Sequence, residues 1–517
     1  MPSPSPSVDR APDTFSVTWR DAFALFAIAM VAATLIGTHG LAYWDAGDYV
    51  RQALRSQPSG LLLGRPFFLF VSRQVIAIPL RLGWGAASLE PTLRWFWTVI
   101  SACAPPLLAS LVARLRFGRP AALAAGVSLA IAPSFAHTAH QVLTDGPALA
   151  LSLLALIIAL PRREEDRARV SPFRAFFAGA VLAAAIATRE TSAVQLLALL
   201  ALLSRKRSNV LAALVATAAG MVIVVLLAKR NETMLGWLNA MARSSNKHPV
   251  TLRDLGLSVG WLLALGPVPV LLGAIELLAF ARRRWGTPGP RDTLSDPAFA
   301  GTRAIVVPSA VATVLLVLYP DGSFSPRYLL ATGPLAFFVL ASPRLSELLS
   351  DVRGRRPALR MFVACALVAP LAIAPFTTGH AEAIAARARA LPARLAQIPD
   401  GTLLVPGHVC AAVGAWLAAE DAAHAGHAGP GLPDERIELL CPGWSWPGDA
   451  QELGLRLDRA RCRGRVIAID LADEAWVGVR EQEAKAQVRA YVAERSSTSV
   501  AGFAVVPALG GDDPPCR

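Results

Sequence analysis

The feature that most constrains this chain is a series of about eleven apolar runs, each of roughly 15 to 24 residues, separated by short clusters of arginine and lysine. A helix needs about 20 such residues to cross roughly 30 Å of hydrocarbon. Only a segment that satisfies its own backbone hydrogen bonds can do so. The runs fall near residues 21–40, 95–113, 119–137, 145–161, 173–188, 190–204, 209–228, 258–281, 303–319, 328–343 and 359–376. Hydrophobic residues make up 54% of the 517 and charged ones 17%, which places the chain outside the ordinary soluble range. A net charge of +13 would suit a nucleic-acid binder if the bases formed one face. They lie instead between apolar runs, where they mark topology.

With a cytoplasmic N-terminus, the inner loops are "RLRFGRP", "PRREEDRARVSPFR", "SRKRS", "ARRRWGTPGPR" and "SPRLSELLSDVRGRRPALR", each with three or more Arg or Lys. The tight outer turns "AHTAHQVLTDG", "TRET" and "YPDGSFSPR" carry none, one and one. That asymmetry is the positive-inside pattern. The first run has no small-residue cleavage site after it, so it reads as a span rather than a signal peptide.

An odd number of spans places residues 377–517 outside the cytoplasm, after a transmembrane domain covering 1–376. Short β-like runs there, "TLLVP", "RIELLC", "RVIAIDL" and "FAVVPAL", alternate with helical patterns, which predicts a small α/β domain. Four of the six cysteines lie in this segment, Cys410, Cys441, Cys462 and Cys516. The compartment permits disulfides. Cys410 follows the first expected strand and Cys441 ends the second, so a bridge between them and reduced thiols are both open. Cys103 and Cys365, inside spans, are expected to be reduced. "MPSPSPSVDRAPD" reads as a disordered start and "GTPGPRDTLSDPAFAGTR" as part of a Pro/Gly-rich loop. No CxxC pair, phosphate-cradling Gly loop or GxSxG turn is found in the sequence.

Charge near a bilayer is costly and marks function. Four polar stretches fall on the outer face under this one topology: "YWDAGDYV" with Asp45 and Asp48, "AHTAHQVLTDGPALA" with His137, His140 and Asp145, "ATRETSAV" with Arg189 and Glu190, and "SPRYLLATG" with Arg327 and Tyr328. A carboxylate there can take a proton from an acceptor hydroxyl, and guanidiniums can neutralise a leaving phosphate. Together these suit glycosyl transfer from a lipid-phosphate sugar, which needs no nucleotide site. His137 and His140, three apart on one helical face, could hold a divalent cation with Asp145. Asp145 could equally cap a helix in "TDGP", and the arginines could reach to headgroups.

The ordered set resembles the GT-C superfamily of membrane glycosyltransferases, above all bacterial relatives of the protein O-mannosyltransferases and aminoarabinose transferases. In those families an Asp-Glu pair opens the first outer loop, and "WDAGDY" matches it with Asp45. A Lys-Pro-Pro-Leu-like element follows, and "GRPFFLF", residues 64–70, is similar with Arg65 at the basic position. Thr144-Asp145-Gly146-Pro147, Arg189-Glu190 and Arg327-Tyr328 match the later elements in order, over roughly residues 20–345. The resemblance implies a GT-C fold of about eleven helices, Asp45 as base, Asp145 as the later catalytic acid of the family, and Arg65, Arg189, Glu190, Arg327 and Tyr328 as substrate and phosphate ligands. It also implies a polyprenyl-phosphate sugar as donor, a lipid, glycan or protein as acceptor, and a multi-pass plasma-membrane location. Two positions depart: the usual Glu is Ala46, leaving Asp48 or no second acid, and the tandem proline is reduced to Pro66 followed by Phe67.

Two other classes compete. A carrier would place charge near the bilayer midplane and show repeats between halves, whereas here the charge lies at one face. A silent scaffold is the reading that Ala46 leaves open. Arg243, Lys247 and His248 read as solvated loop residues, "NET" at Asn231 as a chance sequon, and Trp44, Trp84, Trp95 and Trp97 as an interfacial aromatic belt. Trp444 and Trp446 could stack on sugar or sit in a core.

Overall fold

The structure is a computed structural model. It describes residues 16–37, 41, 44–55, 65–160, 170–227, parts of 252–284, 300–318, 326–350, 382–428, 436–441, 450–472, 476 and 479–509. The expected positions Arg243, Lys247, His248, Asn231, Cys365, Trp444, Trp446 and Cys516, and the run at 359–376, lie outside these residues.

The chain opens with α1 (Trp19–Ile36), whose start is a capping box: Thr18 Oγ1 accepts from the Asp21 amide, and the Asp21 carboxylate accepts from the Thr18 amide. Two short helices follow, α2 (Trp44–Arg55) and α3 (Pro66–Arg81). On α2 the buried residues Ala46, Tyr49, Val50, Ala53 and Leu54 recur at helical spacing, so one apolar face turns inward. Full burial of Leu54 alone contributes about 1.5–3 kcal/mol.

α4 (Leu89–Ala102), α5 (Ala104–Arg114), α6 (Gly118–Ala130), α7 (Pro133–Ala139) and α8 (Asp145–Ala159) come next. They pack through small buried residues such as Ala109, Ala121, Ala122 and Ala125, which let backbones approach without a hydrophobic drive from lipid. The end of α8 is tied down by two arginines. Arg114 Nη1 donates to the Leu160 carbonyl at 2.8 Å and Arg174 Nη2 to the same oxygen at 3.1 Å, which satisfies carbonyls the helix leaves open. That anchor holds the axis of the helix whose other end carries Asp145.

α9 (Pro172–Thr188) leads through a 3-10 turn (Glu190–Ala193) into α10 (Val194–Leu203) and α11 (Arg207–Leu227). α12 (Pro267–Arg284) and α13 (Ala300–Leu318) precede a second 3-10 turn (Pro326–Ala331), a π-helical stretch (Pro334–Phe338) and α14 (Val339–Ser350).

Among the described residues three helices are long and apolar enough to cross a membrane: Trp19–Ile36, the run Ala86–Arg114 and Ala300–Leu318. α6 and α7, bent by 61°, make a fourth if taken as one span. The expected count of about eleven is therefore met only in part. α8 has 15 residues, a rise of about 22 Å. The run at 190–204 begins in 3-10 geometry, and the run at 328–343 is divided among 3-10, π and α segments.

The five strands found among the described residues all fall in the C-terminal segment, together with α15 (382–395), α16 (Cys410–Ala425), α17 (Ala450–Cys462) and α18 (Val479–Ala493). The sheet runs β2 (Glu438–Leu439), β1 (Leu403–Val405), β3 (Ile467–Ile469), β5 (Phe503–Val506), β4 (Thr498–Val500). β1 pairs parallel with both β2 and β3, whereas β5 is antiparallel to β3 and β4. Four of these strands lie in the four runs read from the sequence. β4 was not expected; Ala501 and Gly502, both at positive φ, make the tight hairpin turn that pairs it.

Cys410 and Cys441 form a disulfide, Cys462 is also disulfide-bonded, and Cys103 is free. The Cys410–Cys441 bridge joins the start of α16 to the end of β2. Replacing both cysteines by serine is expected to lower stability by about 2–4 kcal/mol, measured as an earlier denaturation midpoint in non-reducing urea titrations. An unchanged midpoint would remove the bridge from the account of stability.

Candidate active site

Five segments separated in sequence meet at one cluster. Asp45, in the first turn of α2, is ion-paired with Arg327 from the second 3-10 turn. Arg65 pairs with Glu190 at 2.5 Å. Asp145 and Arg189, each 1% exposed, lie 3.1 Å apart. The Thr144 hydroxyl accepts from Arg189 Nη1 at 3.0 Å. Both Arg189 and Arg327 stand over the Tyr328 ring, 4.6 and 5.3 Å from its centroid, so one aromatic face serves two cations.

Local chain geometry places each group. Arg189 ends α9 in extended conformation, φ −154° and ψ 124°, which turns its side chain from the helix axis toward α8. Arg65 precedes Pro66 and adopts a left-handed conformation, φ 63° and ψ 51°. A non-glycine residue held there costs about 1–3 kcal/mol and marks a site where surroundings over-determine the backbone. At Gly146 an added Cβ would come within 2.3 Å of Ser101 Oγ, so α8 can seat Asp145 this close to α4 only with glycine next to it. Asp145 is not the side-chain cap that "TDGP" also permitted: no side chain caps the N-terminus of α8, and its carboxylate faces Arg189.

The electrostatics are dense and buried. Burial works to raise the Asp45 carboxyl, but the Arg327 guanidinium, with Arg65 and Arg189 behind it, outweighs this and holds it below the usual carboxylate range. Asp45 therefore stays ionised. Tyr49, one helical turn further on α2, is pushed up to about 12 by burial and so keeps its proton. It is 3% exposed, lies in the field of Asp45 and all three arginines, and packs edge-on to Phe68 at 5.4 Å. The sequence reading missed Tyr49, although its i, i+4 spacing from Asp45 puts the two on one helical face.

Three carboxylates and three guanidiniums do not fully satisfy one another. Arg189 Nε and Nη2, Arg65 Nε and both oxygens of Asp145 are buried without a hydrogen-bond partner; the Asp145–Arg189 contact is an ion pair lacking hydrogen-bond alignment. Buried polar groups left so cost about 1–3 kcal/mol each, and such orphans in a cluster of mixed charge are what an oxyanion or hydroxyl ligand would satisfy.

The other expected residues are placed differently. Asp48 accepts from Gln52 Nε2 at 2.6 Å along its own helix. Ala46 is fully buried in the apolar cluster that α2 shares with α3 and α4. His137, His140 and Asp145 do not assemble as a metal site: no group of three or more His, Cys, Asp or Glu that could hold an ion occurs among the described residues. The reason lies in the neighbours, since His140 Nε2 faces Arg94 Nη1 at 2.7 Å and Nδ1 faces the Thr98 hydroxyl at 3.2 Å. A guanidinium donating to the ring leaves it no lone pair for a cation. Of the aromatic belt, Trp84 and Trp95 are exposed, but Trp97 is buried, stacked on Phe68 at 4.2 Å with its indole donating to Ser72.

Comparisons with known proteins concern the sequence of one segment and the overall fold. Residues 87–230 match the family model of the dolichyl-phosphate-mannose-protein mannosyltransferases. No curated protein matches the chain in sequence. The fold is similar to the crystal structure of ArnT from Cupriavidus metallidurans bound to undecaprenyl phosphate, with a TM-score of 0.52 and 13% identity over 95% of this chain and 97% of that one. The oligosaccharyltransferase of Archaeoglobus fulgidus, tethered to an acceptor peptide, gives a TM-score of 0.44 and 11% identity over 80% of this chain and 64% of that one.

Proposed function

We propose that this chain, whose resemblance to the GT-C glycosyltransferases is shown by the family match and by its fold, transfers a sugar from a polyprenyl-phosphate donor to an acceptor hydroxyl at the outer membrane face. The observation that carries the reading is the cluster itself: an ionised, partly accessible carboxylate, Asp45, paired with Arg327 and set beside Arg65 and Arg189, each of which keeps a buried donor without a hydrogen-bond partner. The mannosyltransferase family is described by a lipid-phosphate sugar and the ArnT structure by a polyprenyl phosphate, which supports the donor class.

The chemistry runs in one displacement. Asp45 takes the proton of the acceptor hydroxyl as its oxygen bonds to the anomeric carbon, and the bond from that carbon to the donor phosphate breaks with its electron pair staying on phosphate. Attack from the face opposite the leaving group inverts the anomeric centre. Arg189 and Arg65 supply the donors that meet the growing phosphate charge, with Tyr49 as a neutral donor beside them. Arg327 keeps Asp45 deprotonated until the acceptor arrives. Tyr328 holds Arg189 and Arg327 in register, and Glu190 fixes Arg65. Asp48, one turn along α2, is the second acid of this reading.

The test is direct. Purified protein given polyprenyl-phosphate sugars and candidate lipid, glycan or peptide acceptors is expected to release free polyprenyl phosphate and glycosylated acceptor. Absence of transfer, together with flux of a labelled solute through proteoliposomes lacking lipid-linked sugar, would replace the enzyme by a carrier. Mass comparison of lipids, glycans and proteins from a deletion strain identifies the acceptor by its missing sugar.

The same reading places the N-terminus in the cytoplasm and residues 377–517 outside it. A reporter active only outside the cytoplasm, fused after residue 517, is expected to be active, and silence would invert the topology.

A further inference from the structure

The helix that carries Asp45 is not seated by its membrane neighbours alone. Among the helices packed on α2 is α16, from the C-terminal segment more than 350 residues away. An added Cβ at Gly47 would lie 2.5 Å from the Ala411 carbonyl carbon and 2.7 Å from the Ala412 nitrogen. The two backbones therefore meet directly, two residues from Asp45. One turn along, a Cβ at Gly414 would lie 3.0 Å from Arg51 Cδ. Further on, Arg55 forms a salt bridge with Asp421, the two side chains 4% and 17% exposed.

Ala415, Ala418, Ala419 and Ala422 of α16 belong to the same apolar cluster as Ala46, Tyr49, Val50, Ala53 and Leu54 of α2. The start of α16 is itself fixed, by the Cys410–Cys441 disulfide to the end of β2. A close backbone crossing, an apolar seam and an ion pair along one helix pair determine both the height and the rotation of α2.

We infer that α16 is a positioning element for catalysis: the Gly47–Ala411 crossing sets α2 at the height where Asp45 meets Arg327, so the C-terminal segment completes the site without touching substrate. The inference rests on the functional reading above and deepens it. It also gives Ala46 a physical role. A carboxylate at that position would have to enter the apolar cluster shared with α16, so the small residue goes with the seat.

Gly47→Ala in the full-length protein forces the two backbones apart. A misplacement of about 1 Å costs about 100-fold in rate, so kcat is expected to fall by about 10- to 100-fold. A purely structural role would lower the melting temperature and leave the pH profile alone. Positioning predicts more. The charged and titratable groups around Asp45 are Tyr49 on its own helix, Arg65, Arg189 and Glu190 on the facing segments, and Arg327. Moving Asp45 off Arg327 leaves burial as the dominant influence, so its carboxyl rises and the acid limb of kcat/KM moves to higher pH.

Gly454→Ala, on α17 with open space around it, is the control expected to leave rate and pH profile unchanged. An active wild type with wild-type kcat and acid limb in Gly47→Ala overturns the inference alone. A wild type inactive on polyprenyl-phosphate donors overturns the functional reading instead. If Gly47→Ala fails to fold, the double variant Cys410→Ser/Cys441→Ser, which frees the start of α16, decides: an upward shift of its acid limb supports the seat, and an unshifted limb rejects it.

Discussion

Asp45→Asn is expected to lower transfer from a polyprenyl-phosphate sugar by about 100- to 10,000-fold, the range for loss of a general base, while the purified protein stays folded. Asparagine keeps the shape of aspartate and one oxygen able to accept from Arg327, so the segment remains in place, but the amide cannot take the acceptor proton. Thermal melting beside the turnover assay separates the two effects. Undiminished turnover in a folded Asp45→Asn protein would remove Asp45 as the base. Asp48→Asn, assayed alongside, settles the second acid. A comparable loss there makes two acids of the pair, and a loss at Asp45 alone makes the site a single-carboxylate one.

Arg189 carries the second large effect. It is 1% exposed, pairs with Asp145, donates to Thr144, lies over Tyr328, and still has Nε and Nη2 without partners. Removing one donor to a developing oxyanion costs about 100- to 1000-fold, so Arg189→Lys is expected to fall in that range with the charge retained. Lysine offers a compact ammonium in place of a fork and cannot reach two oxygens from the same position. Arg189→Ala is a poorer probe, because it leaves Asp145 buried without its cation, at a cost of about 3–5 kcal/mol in stability. Activity of a folded Arg189→Lys protein equal to wild type would show that the fork does not contact phosphate.

The two predictions differ in what the sequence could say about them. Asp45 and Arg189 stand out in the amino-acid order because each interrupts or borders an apolar run, where a charge is expensive. The partner of each is not visible there. Asp45 meets Arg327 across 282 positions and Asp145, which begins α8, meets Arg189 beyond the end of α9; neither spacing has a period. His140 illustrates the reverse error. Its three-residue spacing from His137 suggests a shared cation, and the packing of α4 against α7 gives its ring to Arg94 instead.

What the amino-acid order determined by itself was the local and the repetitive: which stretches are apolar enough for a bilayer, where bases collect, which short runs become strands, and which polar residues sit at segment ends. Each follows from helix rise, strand alternation and the cost of burying charge, all of which act within about 20 residues. Only the tertiary structure decided which polar residues share a site, that Tyr49 is among them, that several apolar runs break into shorter helices, and that a helix of the C-terminal segment seats α2. Those outcomes depend on how small side chains such as Gly47 and Gly146 let distant backbones cross. A crossing of that kind is a property of two surfaces, and neither surface encodes its partner in its own sequence.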